Sequence, residues 1–102
     1  MTAIRAWGSR VNHVHLKDAR QEILDAIVED AAPVIEIWKR RAFCPLGEGD
    51  VAIDEVLAAL DDVGYSGWIV VEQDMIPEPQ ESADRSIAEQ AANRRFLRER
   101  GL

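Results

Sequence analysis

Val11-Asn12-His13-Val14-His15-Leu16, continuing into Lys17 and Asp18, reads as a strand with apolar groups on both faces. Alternation places Val11, His13, His15 and Lys17 on one face and Asn12, Val14 and Leu16 on the other. That pattern suits a strand covered on both sides. A second run, Trp68-Ile69-Val70-Val71 followed by Glu72, Gln73 and Asp74, is continuous, β-rich and apolar, and predicts another buried strand.

Helical patterns lie between and around these two runs. Ile23, Leu24, Ile27 and Val28 repeat at helical spacing with acids opposite, and Pro33 permits a new helical start over Val34 to Arg41. FCPLGEGD, residues 43–50, carries Pro45, Gly47 and Gly49 and predicts a loop. Its GxG lacks the third glycine and the preceding strand of a dinucleotide fingerprint. Val56, Leu57, Leu60 and Val63 make the stripe of a helix over Ile53 to Val63, with Gly64 placed to stop it. Pro77 and Pro79 mark a loop. Ser82 is the expected cap of a last helix reaching Arg100, with Ile87, Ala91, Ala92, Phe96 and Leu97 on its inner side. Strands alternating with helices argue for parallel βα units.

The 102 residues suit one small domain, residues 1–102, and no domain boundary or repeat interrupts them. Nineteen acids against twelve bases, a net charge of −7, leave no electrostatic footprint for a phosphate backbone, so nucleic acid is not an expected partner. The basic clusters at 39–41 and 94–100 read as solvated helix faces. The single cysteine, Cys44, excludes an internal disulfide, fits a reducing, cytoplasmic setting, and reads as a packing residue. No apolar run has the length of a membrane span, and the first residues lack a signal-peptide core. Ala3, Ile4, Trp7 and Gly8 look like a helix end without a start, as expected of a truncated chain.

In parallel α/β folds, active sites lie beyond the C-terminal ends of the strands. The first strand candidate ends His15-Leu16-Lys17-Asp18 and the second Glu72-Gln73-Asp74. Imidazole and carboxylate together can hold a divalent metal, and Glu72 can also serve as a base. The plainer readings stand beside these. His13 is then a packed strand histidine, Lys17 and Asp18 form a loop or helix-cap ion pair, and Asp74 is a solvated loop carboxylate.

Three segments together are more specific: HVHLKD at 13–18, PLGEGDV at 45–51 and LAALDDVGYSGWIVVEQD at 57–74. Over roughly residues 10–100 the chain resembles the end of the sugar phosphate isomerase/epimerase family, with its xylose isomerase-like barrels, and most of all the inosose dehydratase branch. The resemblance implies the C-terminal segment of a (β/α)₈ TIM barrel, about its last two βα units. It implies a divalent metal (manganese, cobalt or magnesium) held by a glutamate, an aspartate, a histidine and a glutamate from four successive strands. His15 and Glu72 match the last two of these, and the first two would lie upstream of Met1. It implies a small sugar or cyclitol substrate, proton transfer beside a carbonyl through an enediolate, and Glu72 as acid/base group. Lys17, on the same strand face as His15, is assigned to a substrate oxygen or developing negative charge, with Phe43 and Trp38 as an apolar wall. Because two ligands are an incomplete set, weak or absent metal binding is expected of the chain alone. Two alternatives stay open: a non-catalytic small domain that self-associates through exposed barrel edges, and an endonuclease-type relative of the same barrel, against which the acidic charge counts.

Overall fold

The computed structural model describes residues 2–78 and 83–102. The expected cap at Ser82 and the loop marker Pro79 lie outside the described residues. Contacts divide the chain into two units, one comprising the residues through Leu16 with Ala52–Glu72, the other Lys17–Val51 with Gln73–Leu102.

In the first unit, helix α1 (Thr2–Trp7) runs into a 3₁₀ turn over Gly8–Arg10, and strand β1 covers Val14–Leu16. Helix α4 (Ile53–Asp62) and strand β4 (Ile69–Val71) complete it. Strands β1 and β4 pair in parallel, with Val14 opposite Ile69, His15 opposite Val70 and Leu16 opposite Val71. This is the expected parallel pairing, in a mixed α/β arrangement whose two parallel strands do not themselves close a barrel. Helix α4 buries Ile53, Ala59 and Leu60. It ends in a Schellman motif: the Gly64 N–H reaches the Asp61 carbonyl and the Tyr65 N–H the Leu60 carbonyl, each at 2.9 Å. Gly64 has φ +66°, a conformation glycine adopts without a Cβ penalty.

Both strands are shorter than expected. Val11, Asn12 and His13 fall outside β1, and Trp68 falls outside β4 with 81% of its surface exposed. Val70 is exposed as well. The apolar run at 68–71 therefore does not mark a strand buried on both faces within this unit. Leu16 is buried on β1.

The second unit holds β2 (Asp18–Ala19), α2 (Gln21–Glu29), α3 (Glu36–Lys39), β3 (Phe43–Cys44) and α5 (Ala83–Arg98). Strands β2 and β3 pair antiparallel, Asp18 opposite Cys44 and Ala19 opposite Phe43, so the segment expected to be all loop begins with a short strand. Helix α3 is four residues long, where eight are expected from Val34 to Arg41. It ends because Arg41 adopts φ +53°, and the Ala42 N–H turns back to the Ile37 carbonyl at 3.0 Å. Ala31 does the same after α2, at φ +48°. Neither stop carries the glycine that would announce it.

Buried Ile27, Ala42, Cys44, Leu46 and Leu97 form the core of this unit. On α5 the expected inner face is corrected. Ile87 is exposed, and the buried positions are Asn93 and Leu97. Asn93 accepts the Leu46 N–H at 2.7 Å and donates to the Gln73 side-chain oxygen at 3.0 Å. A hydrogen-bonded amide, rather than a continuous apolar stripe, therefore helps seat this helix.

Candidate active site

Parallel pairing carries β1 and β4 in the same direction, and the Glu72 N–H extends the ladder to the Leu16 carbonyl at 2.9 Å. The C-terminal ends of the two strands thus lie side by side. There His15 Nδ1 meets Glu72 Oε2 at 2.9 Å. The two sequence-predicted metal residues are brought together. Both side chains remain accessible, His15 at 49%.

A carboxylate only accepts hydrogen bonds, so His15 places its proton on Nδ1 toward Glu72. The lone pair of His15 then sits on Nε2. His13 Nε2 lies 3.1 Å from that atom and, in the neutral pair, donates to it. The two rings meet edge to face, with centroids 5.0 Å apart. His13 is exposed and precedes the strand, which corrects its reading as a packed strand histidine.

The 2.9 Å contact is a hydrogen bond: with its proton on Nδ1, His15 offers a metal its Nε2 lone pair, and Glu72 offers a carboxylate oxygen. Among the described residues no group of three or more His, Cys, Asp or Glu side chains could hold a metal.

The second unit holds the other candidates. Lys17 Nζ pairs with Asp74 Oδ2 at 2.7 Å and lies 4.4 Å from the centre of the Phe43 ring. Asp74 is thus an ion-pair partner and not simply a solvated loop carboxylate. Phe43 supports the lysine, while Trp38 lines a groove of about 560 Å³ with Ile35, Gln73, Asp74, Met75 and Ile76.

Asp18 departs furthest from expectation. It is completely buried, and its carboxylate is engaged by loop backbone in place of a helix cap or ion pair. One carboxylate oxygen accepts the N–H groups of Gly47 and Gly49 at 2.8 and 3.1 Å, and the other those of Ala19 and Val51 at 2.9 and 3.1 Å. Gly49 approaches so closely that an added Cβ would strike Asp18 Oδ1 and stand 2.5 Å from the Ala19 carbonyl oxygen. The available signal is a carboxylate directly after a strand, combined with the GEGD turn downstream. Cys44, buried beside this loop, has its thiol pushed up to about 11, mainly by burial and next by the nearby Asp18 charge. That suits packing and not nucleophilic attack.

No helix among the described residues is long and apolar enough to cross a membrane. Residues 2–100 match the family model described as xylose isomerase-like TIM barrel. Inosose dehydratase 2 of Bacillus cereus is 40% identical over 74 residues, covering 72% of this chain and 25% of that protein. Inosose dehydratase of Erwinia tasmaniensis is 42% identical over 69 residues, covering 68% and 23%. The chain spans about a quarter of the length of these relatives. No solved structure matches. With a family match over nearly all its residues and two parallel strands whose C-terminal ends bring His15 and Glu72 together, the chain belongs to the xylose isomerase-like TIM barrel family.

Proposed function

We propose that this chain is a C-terminal barrel segment carrying the histidine-glutamate half of a metal-dependent site that acts on a small keto-sugar or keto-inositol, in the manner of an isomerase, epimerase or dehydratase. The observation that carries the reading is the 2.9 Å meeting of His15 and Glu72 at the C-terminal ends of neighbouring parallel strands. These are the residues that would hold a manganese, cobalt or magnesium ion. A bound ion supplies Lewis-acid stabilisation of negative charge on a substrate oxygen.

The chain's own side chains divide the remaining work. Glu72 is the acid/base group, taking or returning a proton beside the substrate carbonyl. His15 is oriented at the strand end by its 2.9 Å hydrogen bond to Glu72. Lys17, held by Asp74, meets a substrate hydroxyl or phosphate. A second reading, a non-catalytic domain that self-associates through exposed barrel edges, draws on the exposure of Trp7 and Trp68.

A chimera distinguishes the two. The matched quarter of the Bacillus cereus inosose dehydratase 2 is replaced by the corresponding residues of this chain, and inosose dehydration is assayed. The first reading expects activity that falls about a hundredfold or more with His15→Ala or Glu72→Gln. A folded chimera indifferent to both substitutions, or without activity at all, supports the second reading.

A further inference from the structure

We infer that Gln73 and Asn93 are positioning residues for Lys17: a directed chain of hydrogen bonds anchors the segment that carries Asp74, and Asp74 sets where the Lys17 ammonium stands. The chain starts at the backbone of the 45–51 loop, where Leu46 donates its N–H to Asn93 Oδ1 at 2.7 Å. Asn93 Nδ2 donates to Gln73 Oε1 at 3.0 Å, and Gln73 Nε2 donates to Glu89 Oε2 at 2.6 Å. The other Glu89 oxygen faces Arg85 at 2.8 Å and Arg41 at 4.0 Å. Asp74, the residue immediately after Gln73, holds Lys17 Nζ at 2.7 Å, with the ammonium 4.4 Å from the centre of the Phe43 ring.

The two ends of this chain fix its sense. A backbone N–H only donates, so Asn93 turns its oxygen to Leu46 and its amino group to Gln73. A carboxylate paired with an arginine only accepts, so Gln73 turns its amino group to Glu89 and its oxygen to Asn93. Neither amide can flip without setting donor against donor or acceptor against acceptor. Asn93 is 1% exposed, so water does not make good such a mismatch. Gln73 is therefore held through both atoms of its amide, and the backbone that leads into Asp74 is tied to α5.

The inference rests on the proposed role of Lys17, which meets a substrate hydroxyl or phosphate, and deepens it. Lysine carries its charge on a flexible stem, so it meets one oxygen reproducibly only when its head is held. Asp74 and Phe43 hold that head, and Gln73, with Asn93 and Glu89, holds the place of Asp74. A seat for α5 needs only the bond between Asn93 and Leu46. The step onward to Gln73 joins the helix to the residue beside Asp74.

Lys17 and Lys39 are the chain's only lysines, so their side-chain NMR signals are readily told apart in the 102-residue chain. The Phe43 ring current should place the Lys17 ε-methylene protons upfield of those of Lys39, whose ammonium faces Glu36. Asp74→Ala releases Lys17 directly and sets the size of a full loss of that shift. Gln73 is only partly buried, so Gln73→Met, which keeps the side chain's length and removes both its hydrogen bonds, should stay folded by circular dichroism and lose most of the shift. Asn93→Asp, which still accepts the Leu46 N–H but has no donor for Gln73, should move the Lys17 signal the same way. A parent chain without the upfield shift overturns the positioning role. So does a Gln73→Met chain that unfolds, or any of the three variants folded with the shift intact. The measurement uses no substrate, so it is separate from the chimera: an inactive chimera counts against the proposed function and leaves the Lys17 shift as it is.

Discussion

His15 and Asp18 stand three residues apart and have opposite surroundings. Asp18 is sealed from solvent, and each of its carboxylate oxygens holds two backbone N–H groups of its own unit. His15 is half exposed, and its two nitrogens meet side chains, Glu72 and His13, which can change partners. The Asp18 region is a backbone clamp: its donors come from the 47–51 loop and Ala19, so removing the carboxylate orphans several buried groups at once. The His15 region is held by its strand and carries its chemistry on accessible side chains. In a family whose active sites lie beyond the strand ends, a carboxylate-pinned loop and an accessible imidazole-carboxylate pair have different tasks.

The largest expected effect tests that division. Asp18→Ala should destabilise the chain by about 3–5 kcal/mol in urea denaturation, because the N–H groups of Ala19, Gly47, Gly49 and Val51 lose a charged acceptor inside a buried pocket. His15→Ala should cost under about 1 kcal/mol, the scale of an accessible polar contact. Similar losses at the two positions would break the comparison.

A smaller effect sharpens it. Burial chiefly, and the Asp18 charge next, raise the Cys44 thiol from its ordinary value to about 11. Between about pH 9 and 11 the unfolded chain ionises this thiol while the folded chain keeps it protonated. Stability present below about pH 9 is therefore lost progressively as pH rises through that window. The separation of the two values limits the loss to about 2–3 kcal/mol. The difference in urea midpoint between about pH 8 and about pH 11 should be smaller in Cys44→Ala than in the parent. An equal difference in both would show that the thiol is not held neutral beside the clamp.

Much of this is legible in the residues, unevenly and for physical reasons. The parallel relation of the two strands follows from apolar runs separated by helical periodicity. The meeting of His15 with Glu72 follows from the family motifs and from strand ends being where chemistry collects. The limits of the strands do not follow. Val11 and Trp68 continue apolar runs, yet β1 starts at Val14 and β4 at Ile69, since pairing rather than composition decides where a ladder begins. Helix α3 is shorter than its pattern because Arg41 stops it in a left-handed conformation normally given to glycine. The seat of α5 escapes a search for apolar periodicity because Asn93, a polar residue, fills a buried position. Asp18 escapes it for the same reason: its partners are chiefly backbone groups about thirty residues downstream, and no residue type announces a backbone donor.

The most direct test of the central claim, that His15 and Glu72 form one site at the ends of the parallel strands, is ¹⁵N-resolved NMR of the imidazole rings in the 102-residue chain. The expected result is a His15 ring that carries a proton on Nδ1 hydrogen-bonded to Glu72, and a change in the Nδ1 signal on Glu72→Ala. A His15 ring protonated on Nε2, exchanging like an isolated surface histidine and unaffected by Glu72→Ala, would contradict the account.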